Sequence, residues 1–279
     1  MLANNFPLDD KSISRLSTRG LPLEKLKEQI NDSLDYSLEL WRSQGLDIVK
    51  SKGYFYFRTK FLPLEEAEFC IVDIETNGSS IDKHQIIEIA GVKIKCGKIT
   101  DRFESLVQCS EINPHITSIT GISVKDTKDA PSLKKVLYDF KLFLDDAIFI
   151  AHDVKFDYRF ISLSFQKIGL EPLLNRSLCS LALAERSLVS YRYGLSYLEK
   201  TFNLNPNAVH HRAMSDVMTT YGLFNLSLKS MEENVNNVED LIKFSKTAPR
   251  KKRPKFDPFL TEDALEVNEE KTNLGTKIK

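Results

Sequence analysis

Cysteine is scarce and scattered. The four, Cys70, Cys96, Cys109 and Cys179, include no CxxC pair, and three of them lie in or beside apolar runs. That argues against both a zinc site and a disulfide framework, and reduced, small apolar side chains in a cytosolic protein are the expectation. Long apolar runs are missing too. No stretch approaches the roughly 18 consecutive apolar residues of a membrane-spanning helix. The opening MLANNFPLDDKS has no basic segment followed by an apolar one, so no signal peptide is expected and the location is read as cytoplasmic, without a membrane. An excess of charge of either sign is also absent, since 39 Lys and Arg balance 39 Asp and Glu. Net charge therefore says nothing about partners, and local charge has to be read instead.

What is present is an ordinary globular composition, 42% hydrophobic and 28% charged. Its 279 residues suffice for one or two domains with a sizeable core. No internal repeat is visible, and three regions separate. Residues 1–64 contain a short helix over residues 23–30. A second helix, capped by Asp32 or Ser33, carries Leu34, Leu38 and Trp41 on one face and stops at Gly45. Two apolar runs, 46–49 and 54–57, follow around Gly53 as a hairpin. Two helices and a hairpin resemble part of a winged-helix module. A helical lead-in packed on the main domain fits the same pattern.

Residues 65–231 alternate strands and helices. Phe69–Asp73 is an apolar strand ending in an acid, and residues 86–95 and 99–107 form a hairpin around Cys96-Gly97-Lys98. A helix opened by Ala130-Pro131-Ser132 presents Leu133, Leu137, Phe140 and Leu144. A buried strand at residues 147–151 and four further helices complete the pattern. The last of these carries Val217, Tyr221, Phe224 and Leu228. The order implies an α/β sheet with helices packed on it. Residues 232–279 are polar, with the basic run Arg250-Lys251-Lys252-Arg253-Pro254-Lys255 and a brief apolar stretch from Phe256 to Leu260. They read as a tethered, mostly disordered tail whose aromatic anchors order on a partner surface.

Three spaced elements carry chemistry. In Phe69-Cys70-Ile71-Val72-Asp73-Ile74-Glu75-Thr76, strand alternation points Asp73 and Glu75 the same way. Two adjacent carboxylates repel unless a hard cation lies between them. Alone, this is a weak signal, because a solvated strand end also carries acids. Asp157, in His152-Asp153-Val154-Lys155-Phe156-Asp157, falls in the first turn of a helix after a strand, where an acid commonly complements the helix dipole. In His211-Arg212-Ala213-Met214-Ser215-Asp216, Asp216 adjoins the buried face of the last helix, and a carboxylate there needs a partner or a metal. An Asp216–Arg212 pair and an exposed histidine are the plainer alternatives, and His210 is assigned to the surface.

Taken together, the DxET, HDxxFD and HRAxxD elements resemble the DEDDh 3′→5′ exonucleases, the family of the epsilon proofreading subunit of bacterial DNA polymerase III. The likeness covers roughly residues 65–228 and includes Ile86-Ile87-Glu88-Ile89-Ala90-Gly91-Val92 and Ile119-Thr120-Gly121-Ile122. It implies a ribonuclease-H-like fold, a mixed five-stranded sheet with flanking helices. It also implies two Mg²⁺ or Mn²⁺ ions. Asp73 would bridge them, Glu75 and Asp216 would hold the nucleophile-side ion and Asp157 the second. His211 would take the proton of the attacking water, since an imidazole suits that task. Thr76, Thr120, Gly121 and Ile122 would line the pocket for the terminal nucleotide. By the same resemblance the substrate is a single-stranded or frayed DNA 3′ end, released as nucleoside 5′-monophosphates. The partners are the polymerase catalytic subunit and the sliding clamp, reached through the tail.

A free-standing nuclease trimming RNA or single-stranded DNA is the rival, and a replisome scaffold with a vestigial site is a further one. The presence of all five catalytic residue types argues against the scaffold. Two positions depart from the family: Asp153 stands where it usually has Asn, and Cys179-Ser180 where it usually has Asp-Thr.

Overall fold

The computed structural model describes residues 6–206, 208–209, 211–231 and 235–259. The first region builds its own small core. Helix α1 (Asp10–Leu16) is capped by the Asp9 carboxylate, which accepts from the Ser12 N–H at 2.7 Å. Strand β1 (Leu21–Pro22), helix α2 (Leu23–Lys27) and helix α3 (Leu34–Ser43) follow. Ser33 rather than Asp32 caps α3, through Tyr36 N–H. β2 (Ile48–Ser51) and β3 (Tyr54–Phe57) form the hairpin, and with β1 they make an antiparallel sheet in the order β1-β3-β2. The helix–strand–helix–helix–strand–strand order is that of a winged-helix module. α1 and β1 were not legible as periodic segments, and α2 stops three residues short of the expected helix.

This module is also packed on the main body. Its core of Leu16, Leu26, Trp41 and Phe57 takes in Leu174. Gly45, at φ +90°, lies so close to Asn175 that a Cβ would meet that side chain at 2.3 Å, so only glycine fits the joint.

The main body is a five-stranded mixed sheet in the order β6-β5-β4-β7-β8. β4 (Phe69–Thr76) pairs antiparallel with β5 (Ile86–Lys95), which pairs antiparallel with β6 (Lys98–Leu106). Next come α4 (Pro114–Thr120), α5 (Val124–Thr127) and α6 (Leu133–Leu144). β7 (Ile148–Ala151) joins β4 in parallel, helix α7 (Val154–Lys167) follows, and β8 (Ser177–Cys179) joins β7 in parallel. α8 (Ser180–Ser187), α9 (Leu195–Phe202) and α10 (Ala213–Lys229) complete the expected set.

Alternation along β4 divides the core. Cys70, Val72 and Ile74 pack with Val136, Phe140, Phe160 and Ile161 of α6 and α7. Phe69 and Ile71 pack with Val217 and Phe224 of α10 on the other face. Asp73 and Glu75 continue that second face, so the strand's period of two aims both at the start of α10.

The reading of residues 232–279 as one loose tail is corrected. Val238–Thr247 is a helix, α11, capped by Asn237, and Val238, Leu241, Ile242 and Phe244 are buried in the same core as Phe69. Their spacing is helical, but the segment is short and its flanks are polar, so composition masked it. Arg176 and Glu239, both buried, fasten α11 to β8 through two hydrogen bonds of 2.7 Å. Thr59 donates to Glu239 at 2.6 Å, and the Arg176 guanidinium lies 4.3 Å from the Phe57 ring, so one ion pair ties the first module, the sheet and α11 together. Residues 248–259 then return across α8 and α9. Phe259 packs edge-on against Tyr197 at 5.4 Å, whereas Phe256 is 71% exposed. Leu260 and the residues after it lie outside the described residues. Among the described residues all four cysteines are free, and no helix is long and apolar enough to cross a membrane.

Candidate active site

The acid pair Asp73 and Glu75 meets the two separate acids Asp157 and Asp216 at the carboxyl end of β4. The β4–β5 register slips between Glu75 and Thr76, a bulge that ends regular pairing where the acids emerge. Asp157 is 5% exposed in the first turn of α7, and Asp216 is 9% exposed in the first turn of α10. Ligand atoms of Glu75, His211 and Asp216 lie within 4.8 Å of one another. His211 precedes α10 in a left-handed turn at φ +61°, and its backbone N–H donates to the Asp216 carboxylate at 3.0 Å. A non-glycine residue in that region is strained, and the surroundings must hold it. The other histidine of that pair, His210, lies outside the described residues.

The crowding shows in the titration of the acids. Burial, then the charges of Asp157, Asp216, Glu75 and Glu88, hold Asp73 well above the usual carboxylate range. Burial, then Asp216, Glu88 and Asp157, push Glu75 up to about 7 against the pull of Arg212. Burial likewise raises Asp157 to about 7, although backbone N–H groups at Asp157 and Ile74 favour its charged form. These acids cannot all ionise cheaply without a positive charge among them. Carboxylate oxygens are hard donors of the kind that hold Mg²⁺, Mn²⁺ or Ca²⁺, so the residue set fits a divalent cation.

The roles of two residues escaped the sequence reading. Glu88, 1% exposed, lies directly across the ladder from Glu75. It accepts from Arg212 Nη2 at 2.8 Å, from Arg212 Nε at 3.2 Å and from the Ala213 N–H at 2.9 Å. Arg212 thus pairs with Glu88 rather than with Asp216, and it neutralises an acid that would otherwise face Glu75 unpaired. The same bonds pin the chain immediately after His211. The signal was available, because an acid inside the apolar run Ile86-Ile87-Glu88-Ile89-Ala90 has to be paired.

The departures at Asp153 and Ser180 have local explanations. Asp153 occupies a left-handed position, φ +66°, just before α7, and a short polar side chain tolerates that conformation as Asn would. Ser180 forms a 3.0 Å hydrogen bond with His152 Nδ1, and His152 Nε2–H donates to the Tyr193 carbonyl at 2.9 Å. A carbonyl only accepts, which fixes the donor nitrogen, and burial lowers the pKa of this imidazole, so Ser180 is the donor to Nδ1.

Of the expected nucleotide-pocket residues, Thr76 ends β4 beside the acids. Thr120 is buried, with its hydroxyl donating to the Ile116 carbonyl and accepting from the Ile122 N–H. Ile122 is buried in a small cluster with Ile87 and Cys109. Gly121, at φ +71°, caps α4 and faces open space. A cavity of about 510 Å³ opens beyond Thr76, between Asn77 and His84 on one side and Asn113 and His115 on the other.

The sequence profile of the RNase_T exonucleases matches residues 70–224, more than half of the chain and the whole span that builds this site. The chain belongs to this exonuclease family. Its acid set, three Asp and one Glu, agrees with a DEDD-type 3′→5′ exonuclease. Similar proteins include the PolC-type DNA polymerase III of Staphylococcus haemolyticus (strain JCSC1435), 35% identical over 181 residues. That match covers 64% of this chain and 12% of the polymerase. The corresponding protein of Staphylococcus saprophyticus subsp. saprophyticus is 34% identical over 188 residues, covering 66% of this chain and 13% of that one. The chain thus corresponds to about an eighth of the length of these relatives.

Among solved structures, exonuclease X in complex with 5′ overhanging duplex DNA aligns with a TM-score of 0.51 and 25% identity, over 63% of this chain and 99% of that one. E. coli exonuclease I in complex with a dA16 oligonucleotide aligns with a TM-score of 0.55 and 15% identity, over 60% of this chain and 42% of that one, a likeness of fold alone. The ribonuclease-H-like exonuclease fold expected from the sequence is the fold observed.

Proposed function

We propose that the chain removes nucleotides one at a time from DNA 3′ ends as a DEDDh-type nuclease, and that it proofreads for a bacterial replicative polymerase. The observation that carries this reading is the convergence of Asp73, Glu75, Asp157 and Asp216, with the imidazole of His211 among ligand atoms within 4.8 Å. Asp73, Glu75, Asp157 and Asp216 would hold two Mg²⁺ or Mn²⁺ ions. Such ions, when bound, supply charge neutralisation and a Lewis acid for in-line displacement at phosphorus.

The chain's own residues supply the rest. His211, held at the rim by Arg212 and Ala213, accepts the proton of the attacking water. Buried Glu88, with the exposed Arg212 paired to it, keeps that imidazole over the acids. Thr76 and the turn at Gly121 frame the terminal nucleotide, and the cavity beyond Thr76 gives the strand room.

The PolC-type relatives support a polymerase context. The polymerase catalytic subunit would be the partner there, and the sliding clamp is a second candidate that rests on the tail alone. Exonuclease X, matched over 99% of its chain, supports the rival of a free-standing nuclease.

Digestion of 3′-labelled and 5′-labelled DNA and RNA strands tests the reading. With Mg²⁺, a 5′-labelled DNA strand should shorten stepwise while a 3′ label leaves as a mononucleotide, and a chelator should stop both. Shortening from the 5′ end, or cutting that survives the chelator, contradicts the proposal. Equal digestion of RNA favours the trimming role.

A further inference from the structure

The chain's zero net charge is unevenly distributed. Between Lys243 and Phe256 there are seven Lys and Arg and no acid. The part of this run after α11 is folded back as a strap over α8 and α9. Lys251 N–H donates to the Glu185 carbonyl at 2.8 Å, and Arg250 and Arg253 reach the Glu185 carboxylate at 3.0 and 3.3 Å. The Arg253 guanidinium lies 5.1 Å from the Tyr193 ring. Further on, buried Asp257 accepts from Tyr197 Oη at 2.6 Å and pairs with Arg192 at 3.5 Å, while Lys200 Nζ lies 4.3 Å from the Phe259 ring.

Two buried carboxylates therefore anchor three of these cations, Arg250 and Arg253 on Glu185 and Arg192 on Asp257. The side chains of Arg192, Arg250 and Arg253 remain 62%, 63% and 54% exposed, and Lys252 and Lys255 are exposed as well. Holding so many like charges in one ordered surface is unfavourable unless a polyanion shares it. Aromatic faces are interleaved with the cations: Phe256 stands out from the strap, and Tyr191 lies under the Arg192 guanidinium at 5.7 Å. Cations that track a backbone, with aromatic rings on which bases stack, make the surface of a single-strand nucleic-acid binder. The surface is tied to the start of α7, the helix that carries Asp157, because the Tyr193 carbonyl accepts from His152, one residue before the α7 cap Asp153.

We propose that the strap, with Arg192 and Lys200, binds the phosphodiester backbone of a single strand upstream of its 3′-terminal nucleotide, Phe256 and Tyr191 offering stacking faces. The proposal rests on the nuclease reading of the site but is tested by binding rather than cutting.

The full-length protein, Lys252→Ala/Lys255→Ala and Phe256→Ala are compared for binding a labelled thymidine oligomer and a labelled dinucleotide over a range of salt, with chelator present. Loss of two phosphate contacts should lower the slope of log affinity against log salt by roughly 1.4. It should weaken the oligomer about tenfold near 0.1 M salt. Phe256→Ala should weaken the oligomer with the slope unchanged. Dinucleotide affinity, dinucleotide hydrolysis with Mg²⁺ and thermal stability should be those of wild type. Oligomer affinity and slope equal to wild type would overturn the proposal and turn the surface over to an acidic protein segment. An equal loss on the dinucleotide would overturn it too. Wild-type protein that binds the oligomer with the expected slope but cuts no strand would defeat the nuclease reading and leave the strap surface standing.

Discussion

At the end of β4 four carboxylates crowd around one another half-buried or buried, while across α8 and α9 a crowd of cations lies on the surface. Both are concentrations of one sign in a chain whose charges cancel. The acids, taken out of water, shift their protonation, with Glu75 and Asp157 near 7 and Asp73 well above the carboxylate range. The cations keep their water, whose high dielectric weakens their repulsion, and beyond a Debye length of about 10 Å at 0.1 M salt that repulsion is largely screened. Burial is what separates a charge cluster that demands a bound ion from one that merely prefers a polyanion.

The first way to break this contrast is Asp73→Ala. It removes the acid that faces all the others, and cleavage should fall by about a thousandfold or more, in line with losing a charge clamp. More than a few per cent of residual activity, with circular dichroism unchanged, would end the assignment. His211→Ala is expected to be smaller, about a hundredfold, because a general base contributes on that order. Divalent-ion affinity should hold, since the four carboxylates remain, and calorimetric titration checks it. Glu88→Gln keeps the side chain's shape and an acceptor for the Ala213 N–H but loses the ion pair with Arg212. Turnover should drop about tenfold with KM for a dinucleotide nearly unchanged, as expected when a residue that orients a catalytic group is altered. A rise in KM with wild-type turnover would show that Glu88 serves binding instead. Smallest of all, Lys252→Ala/Lys255→Ala should leave turnover on a dinucleotide within error, because nothing buried depends on those two side chains.

The sequence announced the acids better than the structure around them. Asp73 and Glu75 were legible because a strand's period of two fixes their common face, and Asp157 and Asp216 because each opens a helix with a clear apolar face. The left-handed turn at His211 was not legible, since its conformation is imposed by Glu88 and Asp216, residues 123 and 5 positions away. α11 was missed for a similar reason. Its four buried apolar residues count only once Phe69 and the Arg176–Glu239 pair are in place. The strap's order depends on pairs between distant residues, Arg250 and Arg253 with Glu185 and Asp257 with Arg192, which no local pattern links.

The central claim, that buried acids require a cation, is tested most directly by thermal stability against pH without metal. Glu75 and Asp157 titrate near 7 in the folded protein, and unfolded carboxylates titrate at about 4. Between those values the folded state binds protons that the unfolded state has lost, so stability must fall as pH rises through the window. Without metal, the melting temperature, taken relative to a Glu75→Gln/Asp157→Asn variant, should decline from about pH 5 to about pH 8. Adding Mg²⁺ should restore it strongly at the upper end and little at the lower, because a cation stabilises the charged form. A melting temperature that stays flat or rises over that range without metal, or an equal Mg²⁺ effect at both ends, would contradict the account.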